Sequence, residues 1–303
     1  PKNWAGNPEL GRCCSTQRVT YGSNELTPDR IARLEQLGFV WDDQVFIVNS
    51  PFIQDWKNLF HIFTSDFLRH SWKDLDVNRP VMVVSLILDF WIWKLNPIGY
   101  HLTNLILHTL NTLSLMYMLE LIFIDRRITL ISAVIFAVHP VHIEAVSAIN
   151  FREDLLVTLF FLLSLICFIK GLRPEASKWI PFLSIVFYLF ALLSKESALT
   201  LPIIAFLYLR VWMWNSRRYW IFIGYLLVTG VYLLFFLYVQ QFSSMVVAER
   251  PLASRLFGAL VIAGHYIWLH LFPIGLNPDY EQNTFFMGTL KNAVTAAAVL
   301  VFM

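Results

Sequence analysis

The sequence predicts an all-α polytopic membrane protein, and three observations predict it. Apolar residues make up 57% of the 303-residue chain. Charged residues make up 15%, against about 25% in soluble domains. The apolar residues also fall in long blocks separated by short charged breaks, which is the pattern of membrane spans. A net charge of +2 excludes little, and the three cysteines (Cys13, Cys14, Cys167) have no zinc or disulfide spacing.

Residues 1–40 are of another kind: polar, basic and poor in long apolar runs. Thr27 is a helix N-cap with Pro28 at the first helical position. Ile31, Leu34 and Leu37 give a short apolar face, and Gly38 ends it. Residues 55–70 carry Trp56, Leu59, Phe60, Phe63 and Phe67 at helical spacing, with Lys57, Asp66 and Arg69 off that face. That pattern fits an amphipathic helix in the membrane interface, and equally a helix packed in an extramembrane loop.

Residues 80–95 are apolar but short, with Ser85 and Asp89 on one face and a stop at Asn96-Pro97. They either span or lie re-entrant. Expected spans follow at 102–124, 128–146, 155–169, 179–193, 198–214, 219–239 and 256–274, with 155–169 and 179–193 needing flanking residues to reach across. The run 290–303 stops in mid-helix, so the chain reads as truncated. The positive-inside rule chooses between the two readings of 80–95. If that segment is re-entrant, Arg126-Arg127, then Lys170, Arg173 and Lys178, then Arg210, Arg217 and Arg218 all fall on the cytoplasmic side. Asp42-Asp43, residues 139–154 and Lys195-Glu196 then share the opposite side. The re-entrant reading is therefore preferred.

Four groups can carry chemistry. Trp41-Asp42-Asp43 pairs two carboxylates, one of which can serve as a general base while the other accepts a hydrogen bond. The run from His139 to Asp154 wedges His139, His142, Glu144, Arg152 and Asp154 between apolar blocks, where ionisable groups usually mark function. Pro140 ends or kinks the helix before it. His-x-x-His with Glu144 has a zinc flavour but no further ligand nearby. The plainer reading of the run is a capped loop with Arg152 and Asp154 paired. His101, Asn104, His108 and Asn111 share one face of a membrane helix, which must face protein or a wet cavity; interhelical hydrogen bonding is the plainer use. Lys195-Glu196 is either a mutual ion pair or a contact for an anionic ligand.

Several strings, in order, resemble one family: Asn78-Arg79-Pro80; Asn96-Pro97-Ile98-Gly99-Tyr100-His101 through Asn104 and His108; Phe136-Ala137-Val138-His139-Pro140-Val141-His142-Ile143-Glu144; Phe151-Arg152-Glu153-Asp154; and Ser194-Lys195-Glu196. Trp41-Asp42-Asp43 and Asn49 fit its opening, and the stretch 273–280 resembles a later one. Together, residues 39–280 resemble the transmembrane and tetratricopeptide-repeat proteins, an O-mannosyltransferase-like group. The resemblance implies a GT-C glycosyltransferase fold with an amphipathic or re-entrant first extracytoplasmic loop. It also implies inverting transfer of a sugar, mannose in this family, from a polyprenyl- or dolichyl-phosphate donor to a protein hydroxyl on the lumenal or periplasmic side. Asp42 then corresponds to the base and Asp43 supports it, while Arg152, Lys195 and Arg79 are the candidates for the donor phosphate. His139, His142, Glu144 and Asp154 would shape the pocket, together with Glu196, His101, Asn104 and His108. No divalent metal is required by the sequence. The partners expected are the lipid-linked donor, a protein acceptor and the bilayer. The membrane expected is the endoplasmic reticulum in a eukaryote or the inner membrane in a bacterium.

Residues 1–42 resemble part of a helicase-associated domain through Leu10-Gly11-Arg12, Ser15-Thr16-Gln17-Arg18, Leu26-Thr27-Pro28-Asp29-Arg30 and Leu37-Gly38-Phe39-Val40-Trp41-Asp42, with Cys13 where that repeat has tryptophan. The expected organisation is a partial helicase-associated-like segment at 1–40, read as a chimeric join, and a GT-C-like membrane domain at 41–303 lacking its first helix and its C-terminal repeats. Nucleic acid is expected to bind, if at all, only through residues 1–40. A non-catalytic scaffold or a transporter is the competing class, but no internal repeat or charge at mid-membrane supports a transporter.

Overall fold

Pro80 and Pro97 each open a helix at the position where a missing N–H costs nothing. The computed structural model describes residues 51–60, 62, 79–123, 125–212, 220–240, 262, 264 and 266–273. Asp42-Asp43, the segment 1–40 and most of 55–70 lie outside the described residues. Among the described residues every regular element is helical.

The α-helices from residue 80 onward are α1 (Pro80–Trp93), α2 (Pro97–Ile122), α3 (Arg126–Val138), the five-residue α4 (Ile143–Ser147), α5 (Arg152–Gly171), α6 (Trp179–Ser194), α7 (Leu201–Trp212) and α8 (Trp220–Gln240). Short turns at Pro51–Gln54 and Trp56–Phe60 precede them. Asn96 caps α2 by accepting the Ile98 N–H at 3.2 Å. Asp125 does the same for Arg127 N–H at 2.8 Å. Between α1 and α2, Lys94 has φ 55° and ψ −125°, a conformation glycine adopts without strain. Tyr100 Oη donates to the Lys94 carbonyl at 2.7 Å and pins that turn.

The chain forms two units, residues 1–137 with 145–243 and residues 138–144 with 244–303. In the first, α2 (26 residues) and the segment Ile149–Gly171 (23 residues) are long and apolar enough to cross a bilayer. A third crossing is counted if Arg126–Val138 and Pro140–Ser147 make one broken span. The expected span over 128–146 is interrupted at Pro140, the residue expected to end or kink it, because Pro140 has no N–H for the helix ladder.

Side-chain pairs fix the directions of the helices. Tyr100 and Asn104, at the start of α2, bond to Arg152 at the start of α5. Tyr117, near the end of α2, meets Lys170 near the end of α5 at 3.0 Å. The two helices therefore run parallel. α6 returns antiparallel to α5: Ser164 and Ser184 each donate to the other's carbonyl at 2.7 and 2.8 Å. Tyr225 of α8 closes this knot with its hydroxyl 2.8 and 2.6 Å from the two serine oxygens. Lipid is as apolar as a leucine side chain, so helices associate through such packing and hydrogen bonds rather than through water exclusion. Around the knot pack Val157, Leu165 and Phe168 of α5, Tyr188 and Ala191 of α6, Leu201 and Ala205 of α7, and Ile221 of α8. Outward, Leu105, Leu113, Ile131, Phe182, Leu227 and Leu234 are exposed.

α1 starts and finishes at one end of this bundle. Arg79, just before it, reaches Glu153 in the first turn of α5. The turn after α1 leads into the start of α2, which also sits at the first turn of α5. Fourteen residues span about 21 Å, short of a hydrocarbon core of about 30 Å. Met82, Val83, Leu86 and Ile87 instead pack with Tyr100, Ile149 and Leu156. α1 thus lies across one end of the bundle rather than along it. Cysteines placed at Lys94 and Glu196 are therefore expected to label from the same side of sealed vesicles, and cysteines at Arg126 and Arg173 from the other. Labelling of positions 94 and 196 from opposite sides would refute the assignment.

Candidate functional site

The sequence places three consecutive charges, Arg152-Glu153-Asp154, at the start of α5. Successive residues on a helix point about 100° apart, so the three cannot share one environment. Arg152 points inward and is 0% exposed. Its Nη1 pairs with Asp89 Oδ2 at 2.6 Å, its Nε donates to Asn104 Oδ1 at 2.7 Å, and its Nη2 donates to the Tyr100 carbonyl at 3.0 Å. Asp89 is also buried and accepts from Thr103 Oγ1 at 2.8 Å. The guanidinium thus locks α1, α2 and α5 together and presents no surface to a ligand. The expectation that Arg152 touches a donor phosphate is not met by this geometry; a buried charge is kept where its partners already surround it.

Glu153 and Asp154 turn toward a second cluster. Glu153 is 3% exposed and pairs with Arg79, while Lys195 Nζ lies 3.7 Å from the same oxygen. Lys195 also contacts Asp154 at 2.5 Å, and Arg79 Nη2 lies 4.0 Å from Glu196. The local pairs read from the sequence, Arg152 with Asp154 and Lys195 with Glu196, are replaced by long-range ones. Residues two apart face opposite sides of a helix, which separates Arg152 from Asp154. Lys195 is extended at the end of α6 and reaches back to α5. Arg79 and Lys195 keep 27% and 25% of their side chains exposed. Both are therefore open to solvent or to a ligand at this end of the bundle.

The α2 stripe has a different use. The break after Val138 leaves carbonyls without intrahelical donors. His108 Nε2 donates to the Ala137 carbonyl at 3.1 Å. Asn104 Nδ2 donates to those of Val146 and Ala148 at 3.2 and 3.4 Å, while Asn111 Nδ2 donates to the Leu155 carbonyl within α5 at 2.9 Å and ties α2 to that helix. Irregular backbone survives at membrane depth only when protein satisfies it in this way. His101, half-buried, shares the helix.

In the second unit, His139 Nδ1 accepts the Val141 N–H at 3.2 Å, so its Nε2 carries the proton donated to the His270 carbonyl at 3.0 Å. The His142 and His270 rings both lie 6.1 Å from the His139 ring. Glu144 is half-buried at the start of α4. Among the described residues no three His, Cys, Asp or Glu side chains gather as a metal site.

Sequence reasoning missed Asp89 and Glu153 as members of these clusters. A lone carboxylate inside the apolar run 80–95 was the available signal for Asp89. For Glu153 the signal was its place in a charged triplet that a helix must fan out.

Comparison with known proteins gives two separate likenesses. Residues 1–42 match the helicase associated domain. Protein O-mannosyl-transferase TMTC1 of Mus musculus is 36% identical over 176 residues, covering 54% of this chain and 19% of that protein. Protein O-mannosyl-transferase TMTC3 of Mus musculus is 32% identical over 168 residues, covering 54% and 18%. Protein O-mannosyl-transferase TMTC2 of Homo sapiens is 37% identical over 136 residues, covering 44% and 16%. The chain thus spans about a fifth of the length of the curated relatives it matches. No solved structure matches. About half of this helical, membrane-type chain is therefore similar to proteins named O-mannosyl-transferases, and its first 42 residues are similar to a helicase associated domain.

Proposed function

We propose that this chain carries the donor-binding part of a membrane glycosyltransferase, which moves a sugar from a polyprenyl-phosphate lipid to a protein hydroxyl. The observation that carries this reading is the convergence of Arg79 and Lys195, from different elements, on one end of the bundle. Arg126, Lys170 and Arg173 follow α2 or close α5 at the other end. Under the positive-inside rule that basic end faces the cytoplasm, so Arg79 and Lys195 face the lumen or periplasm. The names of the similar proteins supply the reaction class and its sugar, mannose.

The mechanism follows from charge. As the sugar leaves, negative charge gathers on the phosphate, and a guanidinium with an ammonium stabilises it. The phosphate displaces Asp154 and Glu196 as partners, while Glu153 beneath keeps both cations in place. Direct displacement by the acceptor hydroxyl inverts the anomeric carbon, and the hydroxyl proton passes to a base. Asp42 is proposed as that base with Asp43 supporting it. Arg152 with Asp89 serves as scaffold. The membrane is the endoplasmic reticulum in a eukaryotic host or the inner membrane in a bacterial one.

Transfer of labelled mannose from polyprenyl-phosphate mannose to a peptide, by membranes carrying this chain, tests the reading. Loss of a general base typically lowers turnover by about 10²–10⁴-fold. Asp42→Asn with Asp43→Asn is expected to fall in that range. Unchanged transfer in the double variant would sink the base assignment.

A further inference from the structure

Two buried acceptor oxygens at the start of the Ile149–Gly171 segment have no partner, one of them on the carboxylate that Arg79 and Lys195 share. Glu153 Oε2 and Asn150 Oδ1 are both buried without a hydrogen bond. They stand three residues apart at the start of the Ile149–Gly171 segment, so they share one helix face. Buried acceptors are nearly always satisfied, by protein, by water or by a ligand. Neither oxygen can donate, so whatever completes them must bring O–H or N–H groups. A phosphodiester cannot, since its oxygens only accept. A cationic ligand is disfavoured because Arg79 and Lys195 already neutralise Glu153. The chemistry left is a neutral group rich in hydroxyls, placed next to a phosphate.

We propose that Glu153 Oε2 and Asn150 Oδ1 accept hydrogen bonds from hydroxyls of the donor's sugar, while Arg79 and Lys195 hold the phosphate attached to it. This rests on the lipid-phosphate-sugar reading above and extends it to sugar recognition. Arg79 and Lys195 both approach Oε1 of Glu153, which leaves Oε2 to the ligand. With Glu153 Oε1 holding both cations in place, Oε2 stays open to the sugar that follows the phosphate. Water fills the two acceptors when the site is empty, and sugar hydroxyls replace it. A site built on such acceptors discriminates strongly against a ligand that leaves them unpaired.

The test compares binding of two lipids to the full 303-residue chain in nanodiscs: a polyprenyl-phosphate mannose and the same polyprenyl phosphate without sugar. The parent chain is expected to prefer the mannosyl lipid. Asn150→Ala is expected to reduce that preference by about five- to tenfold, the worth of one neutral hydrogen bond at its upper range. Glu153→Gln is expected to reduce it in the same direction, and it carries the test if Asn150→Ala does not fold. Parent chain that binds both lipids equally overturns the sugar assignment and leaves the phosphate reading standing. Preference retained in both variants overturns this inference alone. Parent chain that binds neither lipid overturns the donor reading and this inference with it.

Discussion

Arg152→Met is expected to lower the unfolding free energy by about 3–5 kcal/mol, the cost of leaving a buried carboxylate without its counter-charge. Asp89 loses its 2.6 Å partner and has no route to solvent. Against a typical total of about 5–15 kcal/mol, that is enough to empty the folded state under mild conditions. The loss is not confined to one pair. Asn104 and the Tyr100 carbonyl lose a donor at the same time. Removing both charges, with Asp89→Leu added to Arg152→Met, is expected to recover much of the loss, since buried ion pairs often exchange for apolar residues at little net cost. Denaturant titration in detergent reads both outcomes. A single variant within about 1 kcal/mol of the parent, or a double variant no better than the single, would remove Arg152 from its scaffold role.

Single neutralisation of Arg79 or Lys195 is expected to do the opposite, sparing the fold and costing activity. Both are partly exposed, and either one left in place keeps Glu153 paired. Their stability contribution is then within about 1 kcal/mol each. If they stabilise charge on the departing phosphate, Arg79→Gln and Lys195→Gln should each lower mannose transfer by about 10²–10³-fold, as loss of a transition-state donor does elsewhere. Donor KM and kcat measured for each variant separate a binding loss from a catalytic one. Transfer at parental rates in both variants would dissolve the phosphate site. The contrast with Arg152 is the informative part: it is fully buried, whereas Arg79 and Lys195 are partly exposed.

That distinction marks the border of what the sequence makes legible. Apolar blocks, caps and prolines placed most helices within a few residues, because those signals are local. The re-entrant reading of α1 rests on charge asymmetry, a property of the whole chain. The stripe from Asn104 to Asn111 was legible as a polar face, and its targets were not. Which carbonyls it serves depends on where the chain breaks after Val138 and how α3 lies against α2. The ion pairs were least legible. Arg152 prefers Asp89, 63 residues back in the sequence, over nearby Asp154 because of direction around a helix.

The donors His108 and Asn104 both belong to a helix made earlier than the irregular backbone they serve. A nascent chain enters the bilayer from its N-terminal side. α2 is therefore already in place when the interrupted stretch around Pro140 arrives with bare carbonyls. A segment that would be ejected or left at the surface on its own is received by a finished template. Chain order thus becomes part of the insertion code: the same helices joined in a different sequence would present the break to lipid before anything could accept it.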